Sequence, residues 1–277
     1  MPRLITLDIE TVPDEALVSA VAGDPGRTYR EQLDGLLAAR RAQSGGRSDF
    51  LPLPYHRPVA ACTLEAVEQD GALVPEELSC WTDGDRGAGA SEAAWLRRFW
   101  RRLRGKALVT FHGRGFDLPV LELRSLKLGV PAAGWFSHGR HGGPEEHQDL
   151  YELLTNAGVS QAAPLDLYAQ LVGLPGKEEV AGKDVRGLHS AGERERIAAY
   201  CTTDVVQTWL LYLRFRLLDG TLAAAAYQRS VEAARERLPE LFSTRFGPAE
   251  RELLFGFLDR CGPFFAERAP APLRRAL

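Results

Sequence analysis

The sequence predicts an α/β domain, a mixed β-sheet flanked by α-helices, with a C-terminal helical extension. Three observations carry that reading. Short apolar segments at residues 3–9, 59–68, 77–82 and 107–111 have strand character. Longer segments with helical apolar spacing interleave with them, which suits helices laid over the faces of a sheet. Beyond Gly220 only helical patterns remain, over 221–238 and 248–261. The expected division is therefore 1–219 for the sheet domain and 220–277 for the extension.

Taken in order, Leu4, Ile5, Thr6 and Leu7 suit a buried first strand, and Pro13 ends it. A helix is expected over 28–42, followed by the Pro-rich stretch Leu51-Pro52-Leu53-Pro54-Tyr55-His56-Arg57-Pro58. After the next two strands, a Gly-rich loop leads into a helix capped by Ser91. Trp95, Phe99 and Trp100 recur there at helical spacing and mark a core face. Residues 107–111 form an inner strand, which delivers His112-Gly113-Arg114-Gly115-Phe116 into a helix beginning near Asp117, with Pro119 in its first turn. An irregular glycine-rich region precedes 148–154 and a helix over 164–172. The longest helical pattern, 192–218, is expected to be capped by Ser190 and to bury Ile197, Tyr200, Val205, Trp209 and Leu213.

With 277 residues and 45% hydrophobic side chains, the chain can build a substantial core. No apolar run reaches the roughly 20 residues of a membrane helix, since Arg214 and Arg216 interrupt the longest. With no leader pattern at the N-terminus, a soluble, cytoplasmic protein without a membrane partner is expected. Cys62, Cys80, Cys201 and Cys261 form no CxxC pair and read as buried, reduced thiols. A net charge of −3 does not exclude a polyanionic partner, because affinity can come from local patches and bound cations. Arg40, Arg41 and Arg47 form one such patch; Arg97, Arg98, Arg101, Arg102, Arg104 and Lys106 form another. Each also reads as a solvated helix face. His141 and His147 lack a cysteine pair to complete a zinc site and read as loop residues.

Three short motifs carry chemistry. Asp8 and Glu10 sit two apart at the end of the first strand, so both point to one side of the sheet. Asp117 opens a helix behind a glycine-loosened loop, where capping alone would explain it. Tyr200 and Asp204, four residues apart on a helix, stack one turn from each other. Each has an ordinary explanation in isolation, but together they form a pattern. Asp8-Ile9-Glu10-Thr11-Val12-Pro13, Gly113-Arg114-Gly115-Phe116-Asp117-Leu118-Pro119 and Tyr200-Cys201 with Asp204-Val205-Val206 resemble the tyrosine branch (DEDDy) of the DEDD 3′-to-5′ exonucleases. Within it, they are most similar to a bacterial group of predicted exonucleases related to that of family-B DNA polymerases. The resemblance runs from Leu4 to Leu218.

That resemblance implies an RNase H-like fold, two Mg²⁺ or Mn²⁺ ions, and release of 5′-mononucleotides from the free 3′ end of a single strand, DNA being favoured. Asp8 would bridge both ions, Glu10 and Asp204 would hold the one that activates water, and Asp117 would serve the second. Tyr200 would orient the water. Thr11 and Val12 would meet the terminal nucleotide through their backbone, and Phe116 through its ring, since stacking accepts any base. His112 and Arg114 would face the substrate backbone, although relatives carry asparagine where this chain has His112. Asp149 corresponds to a further acid near the site, or is a plain helix cap. The alternatives are an exoribonuclease that trims RNA ends and a silent nucleic-acid-binding scaffold.

Overall fold

β1 (Arg3–Pro13) runs through the centre of a five-stranded sheet. On one side it pairs antiparallel with β2 (His56–Gln69), which turns back into β3 (Ala72–Thr82). Asp70 and Gly71 close that hairpin with φ of 49° and 79°, the left-handed pair that matches strand twist. On the other side β4 (Ala107–Thr110) and β5 (His147–Asp149) pair parallel, giving the order β3-β2-β1-β4-β5. The sheet is mixed, as expected, and 107–110 is an inner strand. This computed structural model describes residues 3–87, 89–140, 142–143, 146–176 and 185–267. The expectation for His141 falls outside those residues.

Two boundaries correct the sequence reading. β1 does not stop at Ile9 but continues to Pro13, because Thr11 and Val12 still pair with β2 beyond a register shift at Glu10/Thr11. Asp8 and Glu10 therefore lie within the strand rather than at its end. Ser190 does not cap the long helix: it closes a short helix, and its Oγ donates to the Arg186 carbonyl. Gly192, at φ 82°, breaks the chain between the two.

The helices are α1 (Glu15–Ala22), capped by Asp14 and absent from the sequence reading, and α2 (Tyr29–Gln43), capped by Thr28 with a reciprocal Glu31 bond. α3 (Glu92–Arg102) is capped by Ser91 as expected, and α4 (Asp117–Leu128) follows β4. Then come α5 (Leu150–Leu154), α6 (Leu165–Leu171), α7 (Val185–Ser190) and α8 (Arg194–Leu218). α9 (Ala224–Arg245), α10 (Pro248–Arg260) and α11 (Gly262–Ala266) complete the described chain.

Strand alternation sorts β1 between two cores. Ile5, Leu7 and Ile9 pack against α3 and α4, in a cluster with Trp81, Trp95, Phe99, Trp100 and Trp135. Leu4 faces the other way, into the core that α8 and α9 share with β2. Thr6, Asp8 and Glu10 alternate with the first set and so belong to the α8 face. From Ile197 to Leu213 α8 is buried on every side, so it fixes the position of any group it carries.

The second basic patch is partly internal. Arg3, Arg102 and Lys106 converge on the buried Glu65, whose carboxyl is desolvated yet held down at about 2 by these cations. In the first patch, Arg41 pairs with Asp49 and Arg40 bonds the Phe50 carbonyl.

β3 is an edge strand, and α9 lies along it. Leu73 N donates to Ser230 Oγ at 2.8 Å, Arg229 Nη2 to the Asp70 carbonyl at 2.8 Å, and Arg245 Nη2 to the Cys80 carbonyl at 3.3 Å. The helix thus satisfies backbone groups from one end of the strand to the other.

Candidate active site

Asp8 and Glu10 meet Asp204 where the α8 face of β1 touches α8. One carboxylate oxygen of each lies within 4.8 Å of the others. Asp204 is buried, and Gln207 Nε2 donates to its Oδ1 at 3.4 Å. Tyr200, one turn earlier, is only 6% exposed and packs with Val12, Val59, Ala60, Val185 and Ile197. Val12 is thus a wall behind the tyrosine. Taken alone, Asp204 reads as a surface aspartate beside a core tyrosine; its burial overturns that reading.

Asp117 arrives from α4 and joins the same cleft. It is not the helix cap: Phe116 occupies that position, and Asp117 Oδ1 accepts from Ile9 N at 3.0 Å. This bond fixes α4 to β1 midway between Asp8 and Glu10; Asp117 acts on Asp8 electrostatically but stands outside the group of three carboxylates within 4.8 Å.

The loop before α4 depends on close approaches. His112 adopts φ 62°, the left-handed region that asparagine tolerates best among residues with side chains. The same backbone would suit the asparagine that the resemblance implies at this position. Here the imidazole lies against Tyr151, ring centroids 4.3 Å apart. A Cβ on Gly113 would come within 2.5 Å of Thr110, and one on Gly115 within 2.5 Å of the His112 ring. Asp149 holds the loop from β5. Its Oδ1 accepts from His112 N at 2.7 Å and from Tyr151 N at 3.0 Å, and its Oδ2 from Arg114 N at 2.8 Å. Asp149 therefore caps α5 and grips the loop at once. The Arg114 guanidinium is directed to β5, donating to the His147 carbonyl at 3.0 Å and pairing with Glu152 at 3.2 Å. Its side chain is therefore engaged with β5 and α5.

Phe116 and Thr11 share a rim that includes two residues missed in the sequence. His56 Nδ1 lies 2.9 Å from Thr11 Oγ1, and the His56 ring meets Phe116 edge-on at 5.1 Å. Phe50, 53% exposed, stacks against both. Opposite Thr11 stands Pro58, which has no N–H to give the ladder. The Pro-rich stretch around His56 was the available signal.

Behind Asp8 lies a layer of thiols. Cys62 pairs with Asp8 in register on β2, and Cys80 with Cys62 on β3. Cys201 Sγ is 3.3 Å from both Asp8 Oδ2 and the Asp8 carbonyl. None of the four cysteines is in a disulfide. Burial pushes Cys62, Cys80 and Cys201 well above the ordinary thiol range, so the layer is neutral.

The electrostatics are those of a site lacking positive charge. Desolvation, then Asp117, Glu10 and Asp204, raise Asp8 well above the carboxylate range. Burial raises Asp117 to about 7, against the pull of the Ile9 N–H. Burial and the neighbouring carboxylates also raise Tyr200, so the phenol keeps its proton. Hard oxygen donors that are close together and repel one another fit Mg²⁺ or Mn²⁺. His147, by contrast, is buried against Thr110, Nε2 to Oγ1 at 2.8 Å, in no metal cluster among the described residues.

A mixed sheet with these acids converging on its central strand defines a nuclease-like α/β domain. The chain belongs to the family of predicted 3'-5' exonucleases related to the exonuclease domain of PolB, whose model matches residues 48–246. The match includes Asp117, Asp149, Tyr200 and Asp204 and begins after Asp8 and Glu10. A curated protein, tRNA pseudouridine synthase A of Allorhizobium ampelinum, is 27% identical over 132 residues. That segment is 48% of this chain and 42% of the synthase, so the chain spans less than half of that protein. Among the described residues, no helix is long and apolar enough to cross a membrane.

Proposed function

We propose that the chain is a metal-dependent 3′-to-5′ exonuclease that removes 5′-mononucleotides from single-stranded nucleic acid, with 1–219 as the catalytic unit and 220–277 as its helical extension. The observation that carries this reading is the meeting of Asp8, Glu10 and Asp204 within 4.8 Å beside a protonated tyrosine. The family's relation to PolB supports DNA as the polymer. Asp8, Glu10 and Asp204, with Asp117, would hold two Mg²⁺ or Mn²⁺ ions. Such ions lower the pKa of water and neutralise charge that develops on phosphorus and the leaving oxygen.

The chain's own residues do the rest. Tyr200 keeps its proton, so it orients the attacking water as a hydrogen-bonding group rather than as a base. The bulged backbone at Thr11 and the ring of Phe116 receive the terminal nucleotide, with Phe50 and His56 extending the stacking rim. Asp149 fixes the loop that carries His112, and Arg114, within that loop, ties it to β5 through the His147 carbonyl. Val12 backs Tyr200.

Oligonucleotides of DNA and RNA labelled at the 5′ end, incubated with Mg²⁺ or Mn²⁺, test this directly. Stepwise shortening that EDTA abolishes, faster on DNA, is expected. Faster shortening of RNA would make it an exoribonuclease; no shortening of either polymer in Mn²⁺ would leave a silent scaffold and overturn the reading.

A further inference from the structure

α10 begins two residues past the end of the family match, yet it reaches the tyrosine of the site. Between α8 and α10 lies a recess of about 380 Å³. Arg196, Tyr200 and Thr203 line it from α8, and Leu253, Phe257 and Arg260 from α10. Both triplets follow i, i+4, i+7 spacing, so each helix turns one continuous face to the recess. Leu253 and Phe257 make its wall apolar, and Arg196 and Arg260 supply two cations against the single rim carboxylate of Glu252. Gly256 leaves room for Arg260 to fold back along the helix: a Cβ there would stand 3.3 Å from Arg260 Nη1. Arg196 is exposed and pairs with Glu193 at 2.9 Å, a surface contact of small net value that a phosphate can displace.

We infer that this recess binds the nucleotide on the 5′ side of the scissile bond, its phosphodiester between Arg196 and Arg260 and its base over the partly exposed Leu253. The inference rests on the exonuclease reading. An enzyme that removes a terminal nucleotide has no polymer on the 3′ side of it, so a further subsite for a polymer substrate lies on the 5′ side. The terminal nucleotide itself is assigned to the opposite rim, at Thr11 and Phe116. The recess is also bounded. The adjoining hollow, which shares Arg196, Ala249 and Leu253, carries Asp85, Glu193, Glu195 and Glu250 against Arg194 and Arg196, an acidic excess. That acidic lining repels a phosphodiester, so the track ends after one or two nucleotides.

Binding of 5′-fluorescein oligothymidylates, read by anisotropy with Ca²⁺ in place of Mg²⁺, tests the subsite apart from cleavage. Wild-type affinity is expected to rise from one to about three nucleotides and then level off. Arg196→Gln/Arg260→Gln should weaken binding of an octamer about tenfold and make the salt slope shallower by about 1.4, the loss of two phosphate contacts on a single strand. The lysine pair R196K/R260K should recover most of this. If the glutamine pair melts early, Leu253→Glu adds a negative charge to the same recess and should weaken binding in the same way. Octamer affinity and salt slope unchanged in both variants overturn the subsite, whatever the cleavage assay shows. Arginine-dependent binding by a wild type that cleaves nothing in Mn²⁺ supports the subsite and overturns the exonuclease reading instead.

Discussion

Cys201 Sγ lies 3.3 Å from Asp8 Oδ2, the two residues being 193 apart in sequence. Cys201 follows Tyr200 directly and precedes Asp204 by three residues on the same buried helix, so its thiol orients the carboxylate that β1 offers. Groups that orient a metal ligand commonly matter tenfold or more in affinity or activity. Cys201→Ala is therefore expected to raise the Mg²⁺ concentration for half-maximal cleavage about tenfold with little change in Tm, and Cys201→Ser to restore most of it. An unaltered Mg²⁺ titration would make the contact incidental.

Asp8→Ala should abolish cleavage and leave the metal-free fold as stable as wild type, or more so. The substitution removes one member of a cluster whose charges oppose one another, and with it the central ligand. Melting in EDTA beside cleavage in Mg²⁺ checks both halves. Near-wild-type activity would remove Asp8 from the site.

Tyr200→Phe separates orientation of water from packing. The ring stays among Val12, Val59 and Ile197, so stability and metal binding should hold while single-turnover cleavage falls by about 10²- to 10³-fold. Tyr200→Ala should in addition destabilise the fold by roughly 3 kcal/mol through the cavity it leaves. A phenylalanine variant with the wild-type rate would make the tyrosine a core residue only.

His147 predicts an acid-sensitive contribution to stability. Burial, with the Arg114 charge nearby, lowers its pKa from 6.5 to about 3. Between those values the unfolded chain binds a proton that the folded one does not, so stability falls as pH falls through this window. The full slope for one proton is about 1.4 kcal/mol per pH unit. Replacing His147 by Gln should flatten the unfolding free energy against pH between about pH 3 and 6.5; an unchanged slope would show that the histidine titrates normally.

Local rules made part of this site legible. Alternation alone places Asp8 and Glu10 on one face, and four-residue spacing stacks Tyr200 over Asp204. Other features depend on pairings remote in sequence. Nothing local indicates that Asp117 bonds Ile9 rather than capping α4, or that Asp149 grips two backbone N–H groups 35 and 37 residues earlier. Cys62, Cys80 and Cys201 look like scattered thiols until strand register aligns them behind Asp8. The extension of β1 past Ile9 was missed for a similar reason, since pairing with β2, not apolar content, holds Thr11 to Pro13 extended.

The bonds from α9 to Leu73, Asp70 and Cys80 give the extension a consequence separate from any contact with substrate. A strand at the margin of a sheet invites pairing with other chains, and α9 blocks that pairing along β3. A chain cut after Asp219 would keep Asp8, Glu10, Asp117, Tyr200 and Asp204, yet leave this margin bare beside the apolar surface that Tyr227, Val231, Leu238 and Phe242 now cover. Such a chain should self-associate into aggregates at concentrations where the full one stays dispersed, which light scattering would register. The shortest version that remains in solution is therefore set by colloidal behaviour, well beyond the last residue of the acidic cluster.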